Sequence, residues 1–169
     1  STIWTFLMRF FFDFMYSLRY VHFRGVFFQS DDFYYLLWDT FEKNNIDFGE
    51  NPYALNEITI HRKDTTSLLN ISCEIDNMYH TDYWADGLII STPTGSTGYS
   101  LSNGGPIVAP ESGIIILNPI SPHNINMRPF LIQDTSSIKI EVKEENYSLS
   151  LDSRICSVDK KSILLLKKS

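Results

Sequence analysis

Apolar positions along this chain follow two regimes, and the change comes near residue 50. Before it, Ile3 to Leu18 is the strongest apolar stretch, interrupted by Arg9 and Asp13. It falls short of the ~20 apolar residues that span a bilayer. It also lacks the basic start and small-residue cleavage site of a signal peptide. It reads as one or two buried segments of a partial first domain. Asp31-Asp32, followed by Phe33, Leu36, Leu37 and Phe41, has helical spacing, with acids at the end favoured by the helix dipole. Asn44-Asn45 would end that helix, and Phe48 to Pro52 reads as a turn cluster.

From Tyr53 onward the period shortens to two. Strands are predicted at Ile58-Thr59-Ile60, Leu68 to Ile75, Tyr79 to Tyr83, Leu88 to Ile90 and Ile114 to Leu117. Others follow at Ile138 to Lys143, Tyr147 to Leu151 and Ser162 to Lys168, with turns at Asp76-Asn77 and Glu144 to Asn146. Short strands this frequent imply an antiparallel sandwich or barrel.

The strand Leu88 to Ile90 runs into Ser91-Thr92-Pro93-Thr94-Gly95-Ser96-Thr97-Gly98-Tyr99-Ser100. This loop combines small side chains, many donors, no net charge and accessible backbone N–H groups. Those properties suit close wrapping of a polar, phosphate-bearing ligand. No Lys follows the glycine as in a Walker A loop, and the Gly-x-Gly-x-x-Gly spacing of a dinucleotide fingerprint is absent.

Three segments, in order, resemble the NAD kinase family. Asp86-Gly87-Leu88 leading into Ser91 to Tyr99, then Gly104-Gly105-Pro106, is similar to the family's signature, with Gly98 in place of the usual Ala. Asn56-Glu57 before an alternating strand resembles its Asn-Glu pair. Pro122-His123 with Arg128-Pro129 resembles its Pro-His…Arg-Pro segment. The resemblance covers roughly residues 50 to 168, corresponding to the carboxy-terminal domain. The expected fold is therefore mainly β: an NAD-kinase-like β-sandwich over 51–169, preceded by a partial or divergent α/β segment over 1–50. The Gly-Gly-Asp-Gly-Thr of the family's first domain, whose Asp is the catalytic base, does not occur among these residues. The catalytic residue is thus left unassigned.

The resemblance implies transfer of the ATP γ-phosphoryl group to the 2′-hydroxyl of the adenosine ribose of NAD, giving NADP, with Mg²⁺ on the ATP. A catalytically silent NAD-binding or assembly module is the alternative. By resemblance, Glu57 would accept from a ribose diol, since a carboxylate accepts at both oxygens, and Asn56 would read an adenine or ribose edge. Asp86 would hold the nicotinamide amide. Thr94, Thr97, Gly98, Tyr99 and Ser102 would line the ligand loop. Asp152, in Leu151-Asp152-Ser153-Arg154, matches a position where the family has Asp-Gly. The other readings of Asp86 and of the loop are local: a turn cap and a self-bonded turn. His123 is read as a structural hydrogen-bonding residue.

Composition narrows the partners. Over 169 residues the net charge is −6, which argues against nucleic acid. Sixteen of the 24 aromatic residues precede residue 42, setting that part apart from the β-rich remainder. Cys73 and Cys156 have no metal-ligand spacing and read as buried thiols in a reducing cytoplasm. The resemblance adds a homo-oligomer. No membrane partner is expected.

Overall fold

The computed structural model describes residues 34–36, by their backbone alone, together with 53–64 and 67–168. These form two six-stranded antiparallel sheets. In chain order the strands are β1 Tyr34–Leu36, β2 Tyr53–Ala54, β3 Glu57–Arg62, β4 Leu69–Ile75, β5 Met78–Ala85 and β6 Gly87–Ser91. Then come β7 Ile114–Ile120, β8 Phe130–Gln133, β9 Ile138–Val142, β10 Tyr147–Leu151, β11 Arg154–Val158 and β12 Ser162–Lys168. The first sheet has the order β2-β1-β12-β9-β4-β5, and the second β11-β10-β3-β6-β7-β8. The mainly β sandwich expected from the two-residue period is the architecture observed.

Alternation sets the core. Ile71, Cys73, Ile138, Ile140, Val142, Leu164 and Leu166 point inward from the first sheet, and Ile58, Ile60, Leu88, Ile90, Leu117 and Leu149 from the second. A hydrogen bond between Tyr147 Oη on β10 and Ser162 Oγ on β12 links the sheets inside this core. Burial, with the nearby Glu74 charge, pushes the Cys73 thiol up to about 12, so it packs as a small apolar group. Both cysteines are free.

The sheets also meet at both edges. On one side the His80 and Phe130 rings stack at 4.4 Å, joining β5 to β8, and His123 N donates to Trp84 O at 2.8 Å. On the other, Arg154 of β11 donates to Tyr53 O of β2. At Asp76-Asn77 both residues have positive φ, the two-residue hairpin geometry that the turn prediction requires.

One expectation is corrected. Within the stretch predicted as a helix, Tyr34–Leu36 form a strand that pairs antiparallel with β12 and β2. Ladder partners distant in sequence override the local helical spacing there. The apolar stretch Ile3 to Leu18, and the rest of the expected α/β segment over 1–50, lie outside the described residues. Strands β8 and β11 carry no strict alternation long enough to predict them. Among the described residues no helix is long and apolar enough to cross a membrane.

Candidate functional site

The site grows from the far end of β6. All five residues of β6 are buried, because the strand is covered on both faces. Leu88 and Ile90 face the core, whereas Ile89 faces the opposite way. Beyond Ser91 the chain makes a 3₁₀ turn, Thr94–Thr97, and one helical turn, α1, Tyr99–Ser102. This segment lies back over the outer face of β6 and β7. Asn118, 1% exposed, fastens it there. Its Nδ2 donates to Ser100 O at 2.9 Å and Ser100 Oγ at 3.1 Å, while its Oδ1 accepts from Asn103 Nδ2 at 3.0 Å.

The loop is also pinned to the Asn56-Glu57 segment. Thr92 N donates to Asn56 O at 2.9 Å, and Thr92 Oγ1 donates to Leu55 O at 2.7 Å while accepting from Gly95 N at 3.1 Å. A Cβ on Gly95 would stand 2.0 Å from Asn56 O, so only glycine permits this approach. Ser96, fully buried, accepts from Val108 N at 3.1 Å and secures the returning chain.

These bonds divide the loop's hydroxyl residues by role. Ser91, Thr92 and Ser96 are buried and hold the loop together. Thr94 is half-buried, and Thr97, Gly98, Tyr99 and Ser102 form an exposed rim. Glu57 meets that rim. Its Oε2 lies 3.5 Å from where a Cβ of Gly98 would stand, at ordinary contact distance, and Gly95 O would lie at 3.3 Å. The Ala usual in the family would therefore fit here with a shift of a few tenths of an ångström. Burial, then the charge of Asp152, holds the Glu57 carboxyl above the ordinary range for Glu.

The remaining predicted residues are placed differently. Asp152 occupies the β10–β11 turn with φ of 52°, and its carboxylate accepts from the backbone N–H groups of Leu55, Asn56 and Glu57. Asp86 precedes β6, at the opposite end of that strand from Glu57, which pairs with Ser91. Its Oδ1 forms an ion pair with Arg62 Nε at 3.0 Å. The structure thus brings together Asn56, Glu57 and the rim from Thr94 to Ser102, with Asp152 behind them and Asp86 apart. Sequence reasoning did not single out Thr92, Ser96, Asn103 or Asn118 as supports. Asn118 had a signal, as the lone amide in an otherwise apolar strand; the Arg62–Asp86 pair had none.

The pattern of the ATP-NAD kinase C-terminal domain matches residues 55–163, more than half of the chain. This chain belongs to the NAD kinase family. The NAD kinase of Flavobacterium psychrophilum is 56% identical over 119 residues, covering 69% of this chain and 40% of that protein. That of Flavobacterium johnsoniae is 51% identical over 136 residues, covering 79% and 46%. The chain therefore spans less than half the length of these curated relatives.

Solved structures agree with the family. Yeast NADH kinase complexed with NADH superposes with a TM-score of 0.66 at 33% identity, over 70% of this chain and 35% of that one. An NAD kinase from Archaeoglobus fulgidus in complex with ATP gives 0.65 at 28% identity, over 73% and 49%. The family match takes in Asn56-Glu57, the whole hydroxyl loop and Asp152, the segments that the fold assembles.

Proposed function

We propose that this chain supplies the NAD-binding domain of an NAD kinase, which moves the ATP γ-phosphoryl group to the 2′-hydroxyl of the adenosine ribose of NAD. The observation that carries this reading is the meeting of Glu57 with the Gly98 rim. Two segments about 40 residues apart in sequence converge on one half-buried carboxylate. An ionised carboxylate accepts at both oxygens and matches a vicinal diol. Partial burial strengthens each such bond relative to water. Asn56 adds an amide able to donate and accept. Thr94, Thr97 and Ser102 add hydroxyls, and Tyr99 a ring face and a hydroxyl.

Asp86 is assigned to the nicotinamide end. From Ser91 back to Asp86 the strand advances five residues, about 17 Å at roughly 3.3 Å per residue. The solved relatives hold NADH in one case and ATP in the other, which supports a dinucleotide acceptor and an ATP donor.

Phosphoryl transfer is mainly positioning and charge neutralisation. This domain's share is to orient the acceptor ribose, so that its hydroxyl lines up with the γ-phosphorus. Among the described residues no three His, Cys, Asp or Glu side chains gather as metal ligands. Mg²⁺ is assigned to the ATP phosphates, as part of the substrate. Glu57 and Asp86 are given binding roles, and the general base is assigned to neither. The setting proposed for it is a cytoplasmic homo-oligomer.

Calorimetric titration of the full chain with NAD, with and without Mg-ATP, tests this reading when the mixture is also assayed for NADP. Saturable NAD binding is expected. NADP formation would establish the transfer step in this chain. A flat titration would overturn the assignment of Asn56, Glu57 and the rim to NAD.

A further inference from the structure

Between β2 and β3 the chain leaves one sheet and joins the other. Leu55 and Asn56 belong to neither strand, and such a crossing leaves main-chain N–H groups in want of acceptors. The Asp152 carboxylate meets that want. Its Oδ2 accepts from Leu55 N at 3.0 Å, and its Oδ1 from Asn56 N at 2.7 Å and Glu57 N at 3.2 Å. The backbone returns the contact, since Asp152 N donates to Glu57 O at 2.9 Å. A turn residue nearly 100 positions away thus clamps three successive peptide units, two of which carry the Asn56 and Glu57 side chains.

A carboxylate has about four lone-pair sites. Three are directed at these N–H groups, which leaves little for a ligand hydroxyl. We propose that Asp152 is a positioning residue: it fixes the backbone of Leu55-Asn56-Glu57 so that Asn56 and Glu57 present their side chains to the ligand, and it does not touch the ligand itself. The identity of the ligand rests on the NAD-binding reading above; the clamp does not. Charge-assisted bonds to N–H groups are roughly twice as strong as neutral ones, which suits a clamp at an otherwise unpaired corner. The clamp works against one repulsion, because its charge lies near that of Glu57 and helps to hold the Glu57 carboxyl above its usual range.

Two variants of the full chain separate positioning from contact. Glycine tolerates the φ of 52°, so Asp152→Gly keeps the turn and deletes the carboxylate. Asp152→Asn also tolerates it and keeps one acceptor oxygen. In Asp152→Gly, amide hydrogen exchange at Leu55, Asn56 and Glu57 should accelerate at least about tenfold, with Ile60 inside β3 unchanged. NAD affinity should fall about tenfold, and Asp152→Asn should lie between Asp152→Gly and the parent.

The deciding measurement is a mutant cycle against a chain that already carries Asn56→Ala and Glu57→Gln. Adding Asp152→Gly to that chain should cost less than about twofold in NAD affinity, because the clamp acts through those two side chains. Losses that multiply would show direct contact with NAD and overturn the proposal. So would unchanged exchange at residues 55–57 in Asp152→Gly. If the unsubstituted chain fails to bind NAD, the functional reading falls, while the exchange measurement still decides the clamp.

Discussion

The two sheets share a core and differ in their outer faces. The first sheet turns Ser72, Glu74, Lys139 and Glu141 outward, tied by half-exposed ion pairs such as Lys139–Glu74 at 2.8 Å and Lys143–Asp82 at 3.2 Å. Along its central strands β3, β6 and β7 the second sheet buries its outer face as well: Thr59, Ile89, Ile116 and Asn118 are all under 6% exposed. A one-faced sheet is sufficient as scaffold. A sheet packed on both faces can hold a loop rigidly against its strand ends, and that is the sheet that carries the candidate site.

Overfilling the contact between loop and strand should separate the sheets most sharply. Gly95→Ala places a methyl group 2.0 Å from Asn56 O and 2.5 Å from Asn56 C, both backbone atoms that cannot swing aside. A destabilisation of about 3 kcal/mol and loss of NAD binding are expected, read by denaturant melts and titration.

Next comes the buried amide. Asn118→Ala deletes both Nδ2 bonds to Ser100 and the Oδ1 bond from Asn103 Nδ2, so that the loop keeps only the Gly105 N–Ser100 O and Asn103 Nδ2–Pro119 O bonds there, at a cost of about 2 kcal/mol. Faster proteolysis within residues 92–105 should accompany it.

A smaller effect concerns Glu57. In the folded chain its carboxyl sits above the ordinary Glu value of 4.5 because burial, then Asp152, disfavour its charge. The stability it contributes is therefore present below the ordinary pKa and lost as pH rises through the raised value. Glu57→Gln should melt higher than the parent at pH 7, with the difference closing as pH falls towards 4.5, while NAD binds more weakly. A parent that melts higher at pH 7 would contradict this.

The smallest effect belongs to the first sheet. Lys139→Ala should change stability by no more than about 0.5 kcal/mol. A larger change would end the contrast between the two outer faces.

The same contrast explains what could be read from the sequence. Strands with one wet face alternate, so β9, β10 and β12 were visible with bounds close to those observed. The run Leu88 to Ile90 was visible as a strand, and its lack of alternation carried the second buried face. Strand β1 was hidden because its partners lie on β2 and β12, far away in sequence. At the site, the chemistry of Asn56-Glu57 and of the hydroxyl loop was legible as residue types. The division of labour was not. Which hydroxyls face inward depends on Asn118 and Val108, and the occupation of the Asp152 carboxylate depends on where the chain changes sheets.

The close seat of Gly95 on Asn56 bears on the thermodynamics of encounter. Residues 55–57 and 92–98 become ordered together when the sandwich forms, so the loop's conformational entropy is surrendered during folding rather than at ligand arrival. NAD would meet a surface already in its final shape, with a heat of binding close to that of the contacts themselves and an association rate free of any loop-closing step.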